Sequence, residues 1–205
     1  MADAPLARSP IQPAPPIVTR FGWEVSGRRS KASLRLADRT PLSKVQIRAP
    51  DSGSVAEGLN APSGRARRDE TGTLIVGSAP GEWLLVGAPG GAAELVQRGV
   101  TAGDEFVTVT DVTHGRALLR LTGAQGAAVL AKVCGIDFSE RVTPTGTALR
   151  TLLGRLVTDL VRDDVAGDRS YLLHCERSTG HHLYATLLDA GGEFGIEPDG
   201  FAFPD

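Results

Sequence analysis

Asp111, Thr113 and His114 stand within four residues of one another in "DVTHGRALLRLTG", bringing a carboxylate, a hydroxyl and an imidazole to the entrance of an apolar run. Such a trio can carry acid–base chemistry when the imidazole lies within hydrogen-bond reach of the proton it moves. The same residue types suit turn chemistry, because Asp and Thr side chains accept hydrogen bonds from nearby backbone amides and a His entering a strand can bond the backbone. Asp38 and Thr40 occupy the equivalent place in "LADRTPLSKVQIR". A fold-building feature should recur in both halves of a repeat, whereas a catalytic group need not, so capping is the expectation.

The other potential ligands and nucleophiles are poorly spaced for chemistry. His174 and Cys175 are neighbours on a strand-like run and point to opposite faces, while His181 and His182 are neighbours on a helical run and diverge by about 100°. Neither pair has the i, i+4 or Cys-x-x-Cys spacing that chelation favours, and Cys134 and Cys175 read as reduced, buried thiols. "RDDVAGDR" (162–169) gathers carboxylates but lacks the oxygen series and closing Glu of a calcium loop, and its own arginines supply counter-charge. "GAPGGAAE" (87–94) has neither GxGxxG spacing nor a GK[ST] ending, so turn geometry accounts for its glycines. A G-x-S-x-G elbow does not occur.

The elements that must position these groups repeat along the chain. With Asp38 on Asp111 and Thr40 on Thr113, and after one inserted residue, Val45, Ile47 and Val55 fall on Leu119, Leu121 and Val129. Downstream, "GEWLLVG" matches "RSYLLHC", placing Trp83 on Tyr171, and Leu95 falls on Leu183. Each half reads as strand, helix, two or three strands, and helix. Val45, Ile47 and Ala49 alternate with Lys44, Gln46 and Arg48, the period of a half-buried strand. Ala127, Leu130, Ala131 and Cys134 recur at helical spacing, and "DDVAGD" (163–168) reads as a hairpin loop. The expected fold class is α+β: two related lobes of mixed, largely antiparallel sheet with covering helices. Residues 1–20 form a Pro-rich arm, 21–105 the first lobe, 106–198 the second, and 199–205 a C-terminal tail.

Composition narrows the partners. A net charge of -2 and 5% aromatic residues supply neither a phosphate-tracking stripe nor a stacking platform, so nucleic acid is not expected. No apolar stretch approaches the roughly 20 residues that cross a bilayer, and "MADAPLARSPIQPAPP" lacks the apolar centre of a signal peptide, so no membrane and a cytoplasmic location are expected. The arm, with Pro13, Pro15 and Pro16, favours extended conformation and is either disordered or laid along a partner. Phe21 and Trp23 after it, and Phe201 and Phe203 in "GFAFPD", either anchor a partner surface or close the core of the lobes.

"DVTHGRALLRLTGAQGAAVLAKVCGIDF" resembles the Asp-Val-Ser-His segment and following strand and helix of the folate-binding aminomethyltransferases, the glycine cleavage T-protein type. The likeness continues through "PTGTALRTLLGRLVTDLVRDD" and "SYLLHCERSTGHHLYATLLDAGGEFGIEP". With "GWEVSGRRS" and "GSAPGEWLLVGAPG" added, the whole chain resembles the gamma-subunit family of heterotetrameric sarcosine oxidases. That resemblance implies a non-catalytic assembly subunit of an oxidoreductase acting on CH-NH donors with oxygen, which demethylates sarcosine to glycine. It implies docking on a large alpha subunit, with beta and delta subunits in the assembly. FAD, FMN, NAD, tetrahydrofolate and zinc would belong to those other subunits and none to this chain.

The transferases carry a Gly-Gly-x-x-Asp-Asp-Leu motif whose first Asp sits at the folate. Here the matching stretch is "GRLVTDL" (154–160), with Arg155 for the second glycine, Thr158 for the first Asp and Asp159 for the second. A threonine hydroxyl does not titrate near neutral pH and cannot stand in for a carboxylate. The alternative reading is a free-standing, reduced-size folate-binding aminomethyl or methyl transferase, in which Asp111, His114 or Asp159, the residual folate-site positions, do the acid–base work.

Overall fold

The computed structural model describes residues 5–100 and 106–203. The chain opens with three short strands, β1 (Ala7–Arg8), β2 (Ile17–Arg20) and β3 (Trp23–Ser26), in a small sheet of order β1-β3-β2. The first repeat follows as β4 (Arg35–Asp38), β5 (Ser43–Arg48), α1 (Ser54–Leu59), β6 (Ala66–Arg68), β7 (Leu74–Ala79), β8 (Glu82–Gly87) and α2 (Ala92–Val100). The second has the same order: β9 (Thr108–Asp111), β10 (Arg116–Thr122), α3 (Gly126–Val133), β11 (Ala148–Leu153), β12 (Leu156–Arg162), β13 (Ser170–Glu176) and α4 (Gly180–Gly191). A last strand, β14 (Glu197–Asp199), runs parallel to β4.

Register confirms the internal repeat. Ile47 of β5 lies opposite Trp83 of β8, and Leu121 of β10 lies opposite Tyr171 of β13, the pairs that the sequence alignment equates. The sheets are ordered β6-β7-β8-β5-β9 and β11-β12-β13-β10-β4-β14, antiparallel throughout apart from the β4–β14 pair. The expected α+β class with largely antiparallel sheets is therefore what the chain adopts.

A boundary near residue 105 does not separate the lobes. β4, from the first half, pairs with β10 in the second sheet, while β9, from the second half, pairs with β5 in the first. The exchange is held by two matching sets of bonds. The Arg39 N–H donates to the Leu118 carbonyl at 2.7 Å and the Leu118 N–H to Thr40 Oγ1 at 3.2 Å. Reciprocally, the Val112 N–H donates to the Lys44 carbonyl at 2.9 Å and the Lys44 N–H to Thr113 Oγ1 at 3.0 Å. Asp38 and Asp111 fix the two turns by accepting the N–H groups of Thr40 (2.9 Å) and Thr113 (2.8 Å). The side chains expected to cap backbone thus carry the strand crossing itself.

The sheets pack face to face with helices outside. Leu74, Val76, Leu84 and Val86 of the first meet Leu118, Val161 and Leu172 of the second. The outer face of the first sheet, with Val45, Ile47, Trp83 and Leu85, lies against Val55 and Leu59 of α1 and Leu95 of α2. The outer face of the second, with Leu119, Leu121, Tyr171 and Leu173, lies under Val129 and Leu130 of α3 and Leu183 and Leu187 of α4.

The N-terminal segment is a packed element rather than a free arm. Ile11 is buried in the same cluster as Ala117 and Leu183, and β1 and β2 flank β3. Its prolines set an extended path, as their fixed φ requires, but that path runs along this chain's own surface. Pro15 and Pro16 are exposed and Pro13 is half-buried.

Replacing Thr113 or Thr40 by Val keeps the side-chain volume but leaves the buried N–H of Lys44 or Leu118 without its acceptor. Each substitution is expected to lower the unfolding free energy by about 1–3 kcal/mol in urea titrations, with Thr→Ser at either site restoring most of the loss. A loss at one site and none at the other would show that the crossing does not depend on both sets of bonds.

Candidate functional site

Lys44 sits at the centre of the crossing. Strand alternation suggests a polar, outward face for it, yet Lys44 is fully buried, because that face of β5 meets the second sheet instead of water. Its Nζ donates to the carbonyls of Thr40 and Leu42, both at 2.7 Å. Burial pushes the amine down to about 7, against the pull of the Asp38 and Asp111 carboxylates and with the push of Arg177. Burial likewise raises the Asp38 carboxyl. Its burial was not legible from alternation, although the repeat sets Lys44 against Leu118, a buried residue.

Asp111 and His114 do not form an acid–base pair. The Asp111 carboxylate is used by Thr113, and the His114 ring stacks on Trp23 with centroids 4.7 Å apart and planes 7° from parallel. Both residues are exposed at a surface groove that Leu6, Phe21 and Ser43 also line.

Asp159 stands 48 residues after Asp111 and 45 after His114 and belongs to a separate cluster. Its carboxylate accepts from Arg150 Nε at 2.6 Å and faces His174 Nδ1 at 3.4 Å. Arg150, on β11, also binds Glu82 of β8 at 2.6 Å, so the cluster ties the two sheets together. Burial alone would raise the Asp159 carboxyl, but the hydrogen bonds from His174 and Arg150 outweigh it and bring it down to about 2. Burial lowers His174, and its Nε2 is buried without a partner among the described residues. A carboxylate held that low neither takes nor gives a proton near neutral pH. Thr158 is turned the other way: fully buried on the helix-facing side, its hydroxyl donates to the Leu156 carbonyl at 3.2 Å.

Donors that could hold a metal do not converge. Cys175 lies in the helix-side core while His174 faces between the sheets, and His181 and His182 are exposed on α4. Among the described residues no group of three or more His, Cys, Asp and Glu is arranged for an ion. In the acidic hairpin loop, Asp163 is bound by Arg120 (2.8 Å) and Arg68 (2.6 Å), Asp164 by Arg162 (2.9 Å) and Asp168 by Arg35 (3.3 Å).

The four aromatics read as partner anchors divide in two. Trp23 and Phe201 are buried in the inter-sheet core and close it, which removes them from any partner surface in the folded chain. Phe21 and Phe203 stay 55% and 40% exposed, each edge-on to a neighbouring aromatic ring at 6.2 Å.

Residues 59–203 match the model of the GCVT N-terminal domain. The chain is 30% identical over 174 residues to "Sarcosine oxidase subunit gamma" of Corynebacterium sp. (strain P-1), covering 81% of this chain and 84% of that protein. The chain is a member of the GCVT N-terminal domain family and, within it, of the sarcosine oxidase gamma subunits. Its fold superposes with a TM-score of 0.70 on a chain of the heterotetrameric sarcosine oxidase from Corynebacterium sp. U-96, at 24% identity, covering 83% of this chain and 90% of that one. The glycine cleavage aminomethyltransferase T of Bartonella henselae shares the fold at a TM-score of 0.68 and 18% identity, covering 90% of this chain and 55% of the transferase. Among the described residues no helix is long and apolar enough to cross a membrane.

In this gamma-subunit family member the buried amine gives a direct test. Lys44 titrates at about 7 when folded and near its ordinary 10.5 when unfolded, so between those values the unfolded chain binds more protons and stability rises with pH. Urea titrations from about pH 7 to about pH 9 should show the wild type gaining on Lys44→Met by up to about 1.4 kcal/mol per pH unit. A difference that stays flat would mean that the amine keeps its proton in the folded chain.

Proposed function

We propose that this chain serves as the gamma subunit of a heterotetrameric sarcosine oxidase, the complex that demethylates sarcosine oxidatively to glycine, and that its part there is structural. The observation that carries the reading is the 30% identity to a gamma subunit over most of both chains. On this reading the large alpha subunit is the docking partner and beta and delta complete the assembly. FAD, FMN, NAD, tetrahydrofolate and zinc then belong to those subunits.

The chemistry of the chain's own residues supports a non-catalytic part. Thr158 stands where the transferases carry a carboxylate, and its hydroxyl is already spent on a backbone carbonyl. Asp159 is locked in an ion cluster, and Asp111 and His114 are separately engaged by Thr113 and Trp23. Exposed Phe21 and Phe203, with Pro15 and Pro16 beside the small sheet, offer a surface to a partner.

Co-expression with the alpha, beta and delta subunits tests the proposal. The tagged chain should bring down a yellow complex that forms hydrogen peroxide in the presence of sarcosine, and omitting this chain should lower the yield of assembled complex. Asp111→Asn, His114→Gln and Asp159→Asn should leave the turnover of assembled complex unchanged. A colourless monomer that binds tetrahydrofolate and loses that binding on Asp159→Asn would replace this reading with the free-standing transferase.

A further inference from the structure

The two repeats treat their outer strands differently. In the first sheet the outer strand β6 is three residues long and gives way to a polar turn in which Asp69 accepts the N–H groups of Thr71 (2.9 Å) and Thr73 (3.1 Å). Arg68 on β6 is bound to Asp163, so that edge is short and charged, a protection against unwanted pairing. Its counterpart β11 has six residues, has β12 as its one strand neighbour among the described residues, and is followed by a tight turn at Gly154 and Arg155 with φ of 53° and 71°. The Ala148 N–H points away from β12, to the Gly64 carbonyl at 3.0 Å. Antiparallel alternation then turns the N–H and C=O groups of Arg150 and Leu152 the same way, beyond the cover that Gly64 provides.

Side chains along this edge are apolar and uncovered. Leu152 and Val157 are cross-strand partners, 57% and 64% exposed, and a groove of about 590 Å³ runs past them with Ile136 and Thr151 in its wall. The tip is rigid, because the Gly154 N–H donates to the Val133 carbonyl at 2.9 Å and Leu153 is fully buried. Arg155 holds a left-handed φ that glycine would adopt without strain. Among the described residues its exposed guanidinium makes no ion pair or hydrogen bond, whereas Arg150 nearby is neutralised by Asp159 and Glu82.

We infer that the β11–β12 hairpin edge, with Leu152, Val157 and Arg155, is where a partner subunit docks, by an extended segment that carries apolar side chains and a carboxylate. The inference rests on the subunit reading above and adds the place and chemistry of the contact. Free donors and acceptors call for a strand, the paired Leu and Val for apolar side chains between them, and the unpaired cation for an acid at the strand's end. Strain kept at Arg155 with no hydrogen bond or ion pair of its guanidinium among the described residues fits a contact made outside this chain.

The test compares full-length variants co-expressed with the other subunits of the complex. A Leu152→Thr, Val157→Thr double variant should unfold close to the wild-type urea midpoint, both positions being exposed and threonines pairing well across strands, and recover at least about ten-fold less partner subunit. Arg155→Gly should unfold at the same or higher urea and recover about three-fold less partner at low salt, with the deficit closing near about 0.5 M NaCl. A purely structural role would instead move stability and recovery down together. Wild-type chain that recovers no partner overturns both this inference and the subunit reading. Wild type and both variants recovering partner alike overturns the docking edge and leaves the subunit reading standing. Self-association of the wild-type chain that Leu152→Asp abolishes would overturn it too, assigning the edge to a second copy.

Discussion

The structure depends on a reciprocal crossing in which each half of the chain sends one strand into the other half's sheet. Two backbone bonds and two threonine hydroxyls hold it, Arg39 and Thr40 against Leu118 on one side, Val112 and Thr113 against Lys44 on the other. Either set ties both sheets, because β4 lies in the second sheet apart from β5, the strand that follows it, and β9 lies in the first apart from β10, the strand that follows it. The repeats are therefore one cooperative body rather than two lobes in contact, and the inter-sheet core of Leu84, Val86, Leu118 and Leu172 cannot form in one half alone.

Ion pairs rim that apolar interface. Glu82 of the first sheet meets Arg150 of the second at one border, and Arg68 meets Asp163 at another. Removing one partner from such a pair strands the other charge, while the intact pair adds little net stability over a good apolar contact. Their effect is to fix how the sheets face each other. The same economy accounts for the quiet chemistry of Asp159 and His174: a carboxylate and an imidazole lie within reach of one another, but the arginine beside them keeps the carboxylate ionised and burial keeps the imidazole from charging.

How much of this the sequence carried depends on how local each signal is. The repeat was legible because register is a matter of spacing: a residue that equates Ile47 with Leu121 and Trp83 with Tyr171 fixes both strand pairs together. Capping by Asp38 and Asp111 was legible because these side chains bond their own turns, whereas the hydroxyls of Thr40 and Thr113 cap strands far away in sequence. The exchange was not, since period-two alternation says which face of a strand is apolar and nothing about which sheet receives it. Lys44 followed from that gap: alternation sends it to a polar face, and only the second sheet's presence makes that face interior. The proline-rich segment and the four terminal aromatics were ambiguous for the same reason, as extended conformation and aromatic rings serve a core and a partner equally well. Which of them closes the core, Trp23 and Phe201, is decided by contacts far away in sequence.

The symmetry of the repeat is broken at particular places. Lys44 stands against Leu118, a buried amine against a core residue, in the middle of the crossing. β14 covers β4 on the second sheet, while the first sheet's matching edge, β9, ends in exposed Thr108, Thr110 and Asp111. Because a duplicated fold supplies two equivalent solutions at each point, a feature kept in only one copy is not required by the fold itself. The buried amine costs desolvation that Leu118 avoids, and a second strand added to one edge only leaves the two sheets with different surfaces. Two equal halves would present the same face twice; this chain presents two different ones, which is the asymmetry that a subunit seated in one orientation within a larger assembly needs.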